Sequence, residues 1–346
     1  MTGRPLAGDD TEARADDTEA RARIWIERAG LGASTGLVRL AGDASDRRFF
    51  RVVPPRAPSR VLVVHAGPID PETLPLIEVA ALFRRLPVPV PAIEDADAAL
   101  GIVVVEDLGD TTLEAALDGA TGRERVARYH EAVGLIAAIQ RGGRRLAASG
   151  ASPFRLAFDV AKLTWELEFF VEHFLVGYRQ CAVTPPVRAA MAAEFRTLAA
   201  EMAAEARVLC HRDFHSRNLM VHRERLHVID FQDARLGPDT YDLVSLLRDA
   251  YVELDATFVD RLLAHYQDVM EVSDGVALRR RFIRTTVQRS LKALGTFGYQ
   301  IAVRGNPRYR DAIPRTLAYV RDAIRADPGR QGLRNLLAPL LPEIAS

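Results

Sequence analysis

Lysine is almost missing from this chain. Of its 46 basic residues only Lys162 and Lys292 are lysines, and the other 44 are arginines. A GC-rich coding sequence accounts for the bias. It also means that any step needing a lysine ammonium must draw on one of two residues. Cysteine is equally scarce: Cys181 and Cys210 stand alone, which excludes a disulfide framework and the paired spacings of a zinc site. No run of about 18 apolar residues occurs, which excludes a helical membrane span. The acidic N-terminal stretch has no apolar core of the secretory type. Net charge is absent too, with 46 basic residues against 46 acidic ones. A nucleic-acid protein normally carries a basic excess. These absences predict a cytoplasmic protein with reduced thiols, no membrane, no nucleic acid and no evident obligate protein partner. What is present is a chain of 346 residues, 48% of them apolar, long enough for two domains or one two-lobed fold.

A seven-residue unit, Asp9 to Ala15, recurs as Asp16 to Ala22. It reads as a solvated leader or a frayed helix start, and residues 1–23 are taken as a flexible acidic leader. Short β-branched and aromatic runs follow at Leu37–Leu40, Phe49–Val53 and Arg60–His65, separated by turn residues, and predict a small antiparallel sheet. Leu74–Leu86 has helical spacing, Pro87, Pro89 and Pro91 force an extended segment, and Ile102–Val105 is a buried strand. Beyond a hinge near 106–110 the pattern is helical, over 124–140, 155–180, 186–206, 241–252, 256–271, 277–301 and 311–325. Two short strands, near Arg207–Cys210 and Leu226–Ile229, interrupt it. The expected class is α+β, with a mostly β N-lobe over 24–108, a mostly α C-lobe over 109–346, and a ligand cleft between them.

The two short strands frame the most specific motif in the chain. His211-Arg212-Asp213-Phe214-His215-Ser216-Arg217-Asn218 is followed by Val228-Ile229-Asp230-Phe231-Gln232-Asp233. Phosphoryl transfer is mostly positioning and charge neutralisation. It needs a carboxylate directed at a hydroxyl, and hard oxygen ligands for Mg2+. Asp213 has the place of the first, and Asn218 and Asp230 that of the second. A hairpin would bring Asp230 beside Asn218. An ordinary turn would explain any one of these residues, but not the whole spacing.

Other residues keep two readings. His211 reads as structural, and His215 as either structural or catalytic. Asp233 is a second metal contact or a turn cap. Asp242 is an N-cap or a buried brace on the loop. In the N-lobe the turn Gly42-Asp43-Ala44-Ser45-Asp46-Arg47-Arg48 has small residues that let backbone N–H groups approach phosphate, and arginines able to bind it. A plain hairpin turn is the other reading.

Together with Gly237-Pro238-Asp239-Thr240-Tyr241-Asp242-Leu243, these motifs resemble the aminoglycoside phosphotransferase family, which shares the protein-kinase-like fold. Gly42 to Arg51, Asp230 to Ala234, Ser245 to Asp249 and Gln288 to Gly295 resemble one branch of it, the N-acetylmuramate/N-acetylglucosamine anomeric kinases of peptidoglycan recycling. The resemblance implies ATP and Mg2+, with Asp213 as catalytic base and Asn218 and Asp230 as metal ligands. It implies an adenine hinge at the backbone of Glu106, Asp107 and Leu108, and a phosphate loop at Gly42, Asp43, Ala44, Ser45, Arg47 and Arg48. One departure stands out. Such folds carry a lysine on the third strand; Val61-Leu62-Val63-Val64-His65 has none, and Glu78 has no N-lobe lysine to pair with. Arg47, Arg48 or Arg51 is the expected substitute.

The implied acceptor is a sugar hydroxyl, with the anomeric C1 hydroxyl of N-acetylmuramate or N-acetylglucosamine first. An aminoglycoside or another hydroxylated small molecule is the alternative within the class, and a non-catalytic ATP-binding regulator the alternative outside it. Trp165 is expected in core packing, with stacking on a sugar ring as the second reading. Arg289 and Lys292 are either contacts to the lactyl carboxylate of N-acetylmuramate or part of an exposed helix face.

Overall fold

The structure, a computed structural model, describes residues 9–40 and 47–345, with side chains from residue 17. The chain divides into two compact units: Met1–Ala81 with Val90–Gly109, and Leu82–Pro89 with Asp110–Ser346.

The first unit is built on a five-stranded antiparallel sheet. Its strands are β1 (Gly36–Leu40), β2 (Arg48–Val53), β3 (Arg60–Val64), β4 (Ile93–Asp97) and β5 (Ile102–Glu106), in the order β1-β2-β3-β5-β4. The period of two along β2, β3 and β5 places Phe50, Val52, Leu62, Val64, Ile102 and Val104 on one buried face. Helix α1 (Asp9–Arg28) covers that face with Ala22, Trp25 and Ile26. Burying Trp25 and Ile26 is worth roughly 1.5–3 kcal/mol each. Arg21 also donates to the carbonyls of Leu100 (2.8 Å) and His65 (2.9 Å). The flexible leader expected over 1–23 is thus corrected from residue 9 onward: its repeat is helical, and the second copy carries packing residues. Strand β4 was not legible in the sequence, because only Ile93 in Ile-Glu-Asp-Ala-Asp is large and apolar.

Helix α2 (Pro75–Arg84) follows β3. Residues 82–89, read from the sequence as N-lobe, pack with the second unit. Phe83 lies 5.7 Å from the Phe231 ring, and Val228 N–H donates to Pro89 O at 2.8 Å.

The second unit holds α3 (Leu113–Leu117), α4 (Gly122–Leu146), α5 (Val160–Phe170) and α6 (Pro185–Ala203). Four short strands come next: β6 (Arg207–Cys210), β7 (Leu219–His222), β8 (Arg225–Val228) and β9 (Arg235–Pro238). The chain ends with α7 (Tyr241–Leu247), α8 (Ala256–Met270), α9 (Gly275–Ala302), α10 (Ile313–Ala326), α11 (Gln331–Leu337) and α12 (Pro342–Ala345). Helix α5 continues as a π-helix over Val171–Tyr178. The backbone of α9 lies directly on this stretch. A Cβ on Gly295 would come within 2.9 Å of Phe170 Cα, and one on Gly298 within 2.3 Å of His173 O. Two glycines one turn apart therefore allow the approach that sets Gln288, Arg289 and Lys292 beside the residues of α5. Strand β6 pairs with β9, and β7 with β8, both antiparallel.

Candidate active site

The motif loop begins where β6 ends at Cys210 and finishes in a 3-10 turn, Ser216–Asn218. Two buried carboxylates brace it. Asp242, at the start of α7, accepts from His211 N–H (2.6 Å) and Arg212 N–H (2.9 Å). Asp249 accepts from Ser216 N–H and Tyr251 N–H, both at 2.8 Å. Of the two readings of Asp242, the brace is the one realised. It holds Arg212 at φ +90°, a backbone state that costs a non-glycine residue about 1–3 kcal/mol. His211 is structural, as expected: its Nε2 donates to Ile229 O (2.9 Å), and its Nδ1 accepts from Asp213 N–H (3.3 Å).

Asp213 emerges from this brace with two unlike oxygens. Oδ1 accepts from Lys292 Nζ at 2.9 Å and from an Arg289 guanidinium nitrogen at 3.2 Å. Among the described residues, Oδ2 has only the loose approach of Arg212 Nε, at 3.8 Å. Burial by itself would raise the carboxyl, but the charges of Lys292, Arg212 and Arg289 hold it well below the usual range. Asp213 is therefore anionic, with one oxygen capped and one open. Burial, first, lowers Lys292 as well, against the pull of Asp213. Arg289 and Lys292 thus do not lie on an exposed helix face; both reach Asp213. Sequence reasoning missed their role because their partner lies 76 and 79 residues away.

Asn218 and Asp230 flank the β7–β8 hairpin. Ile229 N–H donates to Asn218 O at 3.0 Å, which brings Asp230 alongside. Asn218 Nδ2 donates to Asp213 O at 2.9 Å, so its amide oxygen is turned the other way. Asp230 has φ +62°, and its Oδ1 accepts from Gln232 Nε2 at 2.9 Å. Among the described residues no cluster of three or more His, Cys, Asp or Glu could hold a metal. A pair of hard oxygen donors suits a cation that keeps waters and substrate phosphates as its other ligands, the habit of Mg2+.

The remaining candidates fall out individually. His215 is pushed down to about 3, first by burial and then by Arg289 and other positive neighbours, against Asp213. It is held neutral near pH 7. Asp233 pairs with Arg212 (2.9 Å) and Arg235 (3.5 Å), an ion-pair role that neither reading anticipated. Gly42, Asp43, Ala44 and Ser45 lie outside the described residues. Arg47 lies 5.8 Å from the Phe49 ring centroid; burial first, then the charges of Arg47 and Arg21, lower the His65 imidazole. Arg48 is opposite Val64 in the sheet. Arg51 pairs with Asp107, through an ion pair at 2.7 Å and a hydrogen bond at 3.0 Å. At the hinge, Glu106 N–H donates to Ala92 O (2.9 Å) and is taken. Trp165 is 53% exposed, which overturns its expected place in the core. It borders a cavity of about 500 Å³ with Glu168, Phe169, His173 and Arg188 on the outer flank of α5.

Residues 36–278 match the phosphotransferase enzyme family, APH. The chain belongs to this family. A relative from Neisseria meningitidis, an N-acetylmuramate/N-acetylglucosamine kinase, is 35% identical over 312 residues, covering 87% of this chain and 89% of that protein. A kinase of the same name from Pseudomonas aeruginosa is 31% identical over 312 residues, covering 88% of each. The fold is shared with the gentamicin complex of APH(2'')-IIa, at a TM-score of 0.57 and 16% identity, covering 86% of this chain and 95% of that one. The α+β, protein-kinase-like class expected from the sequence is thus the class of this phosphotransferase.

Proposed function

We propose that this phosphotransferase is an ATP-dependent amino-sugar kinase that phosphorylates the anomeric C1 hydroxyl of N-acetylmuramate and N-acetylglucosamine. The observation that carries the reading is the asymmetry of Asp213. With Oδ1 capped by Lys292 and Arg289, Oδ2 is left to orient the acceptor hydroxyl and take its proton. The O–H bond breaks toward Oδ2, the sugar oxygen forms a bond to the γ-phosphorus, and the bond to the β-phosphate oxygen breaks to release ADP. A carboxylate so strongly stabilised as an anion is a weak base. An anomeric hydroxyl, more acidic than an ordinary alcohol, suits it.

Asn218 and Asp230 would hold Mg2+, which supplies charge neutralisation for the phosphates. The nucleotide would meet Arg47 and Arg48 with the turn at Gly42–Ser45, and the hinge through Asp107 and Leu108. The relatives, both N-acetylmuramate/N-acetylglucosamine kinases, support the acceptor class.

The test is ADP release with N-acetylmuramate, N-acetylglucosamine, glucose, galactose and kanamycin, with and without Mg2+. The N-acetyl sugars should turn over fastest, only with Mg2+, and yield products without a reducing end. A preference for kanamycin, or ATP binding with no turnover on any acceptor, contradicts the reading.

A further inference from the structure

The chain has two lysines, and both belong to one charge network. Lys292 caps Asp213 Oδ1. Lys162 begins a relay on the opposite side. Its Nζ lies 3.6 Å from Glu166 Oε1, that oxygen lies 4.0 Å from an Arg212 guanidinium nitrogen, and Arg212 Nε lies 3.8 Å from Asp213 Oδ2. The relay thus leads to the uncapped oxygen. None of its links is a close hydrogen bond. Glu166 is 2% exposed; its Oε2 accepts from Gln288 Nε2 at 3.0 Å, while its Oε1 is buried without a hydrogen-bond partner among the described residues. Polar groups so buried are normally satisfied, so this oxygen calls for a donor.

At the outer end, Lys162 Nζ lies 4.0 Å over the ring of Trp165. Trp165 is one of two tryptophans in the chain; the other, Trp25, is buried in the first unit. An indole with an ammonium against it pairs an apolar platform with a positive charge. An ammonium has three freely turning donors, whereas an arginine at 162 would lock its planar fork onto Glu166. In a chain that uses arginine at 44 positions, this is one of two where the compact cation stands.

We infer that Trp165 and Lys162 form the acceptor-recognition platform of this kinase, stacking the sugar ring and pairing with a carboxylate on it. The acceptor class is therefore an acidic N-acetyl amino sugar, N-acetylmuramate in preference to N-acetylglucosamine. The inference rests on the amino-sugar reading above and assigns the carboxylate contact to Lys162, the cation that stands against Trp165. Glu166 Oε1 offers an acceptor to a ring hydroxyl or the acetamido N–H.

The experiment compares kcat and KM for the two sugars in the wild type, Lys162→Met and Trp165→Ala. Lys162→Met should lower kcat/KM for N-acetylmuramate about ten-fold or more through KM, the scale of one charged hydrogen bond, and leave N-acetylglucosamine within about two-fold. Trp165→Ala should raise KM for both sugars with kcat kept. Binding gives a second readout: N-acetylmuramate should change the tryptophan fluorescence of the wild type, and Trp165→Phe should remove the change. Equal effects of Lys162→Met on both sugars, or a fluorescence change that survives Trp165→Phe, would overturn the platform. If the wild type phosphorylates neither sugar, the amino-sugar reading itself falls before any variant is compared.

Discussion

Lys292 and Arg289 do to Asp213 what a neighbouring hydroxyl or amide could not: they hold one carboxylate oxygen by charge as well as by direction. Removing one charged hydrogen bond costs about 1.5–3 kcal/mol, or roughly 10- to 100-fold in rate where the bond orients the reacting carboxylate. Lys292→Met should lower kcat by that factor with little change in the sugar KM, and Lys292→Arg should recover part of it. Steady-state kinetics at saturating ATP checks this. An unchanged kcat would show that Arg289 alone positions Asp213. At this scale the sequence was legible only where partners are close along the chain. Asp213, Asn218 and Asp230 lie on one loop and hairpin, and their spacing carries their geometry. Glu166, Arg289 and Lys292 reach the loop from other helices and Asp249 from just past α7, and no local spacing encodes such a meeting.

Helices α5, α6 and α9 form the frame behind the loop, and their contacts are set by small residues and buried charge. Gly295 and Gly298 let α9 lie on the backbone of α5 and its π-helical extension. Glu205, just past α6, meets Arg284 of α9 at 2.8 Å. Burial pushes Glu205 up to about 7 despite the favourable Arg284. The unfolded chain titrates this group near 4.5, so the folded state binds the extra proton between those values. This contribution therefore costs nothing below pH 4.5, destabilises increasingly as pH rises toward 7, and is fully present above that. At about 1.4 kcal/mol per unit the penalty is roughly 3 kcal/mol. Glu205→Gln should shrink the difference in unfolding free energy between pH 5 and pH 8, measured by denaturant titration. An identical difference in wild type and variant would remove Glu205 from that role. Element type was legible wherever the apolar period was strong, as in β2, β3, β5, α4 and α9. It was hidden in β4, whose residues are acidic, and in β7 and β9, which are four residues long and show too little alternation to be told from loop.

Across the whole molecule, the two units carry unequal parts of the account. The first presents arginines without a lysine: Arg51 pairs with Asp107, and Arg47 and Arg48 adjoin the turn proposed for phosphate. The second holds every side chain proposed for proton transfer, metal binding and acceptor recognition, and both lysines. No described helix is long and apolar enough to cross a membrane. Family membership and the relatives' names fit an amino-sugar kinase, and the central claim is that Asp213 takes the acceptor's proton. The most direct measurement pairs turnover with nucleotide affinity in Asp213→Asn, which keeps the size of the side chain and one hydrogen-bonding oxygen. Phosphorylation of N-acetylmuramate should fall by about 10²–10⁴-fold, the scale of a general base, while ATP binding by calorimetry stays within a few-fold of wild type. Turnover at the wild-type rate would contradict the claim.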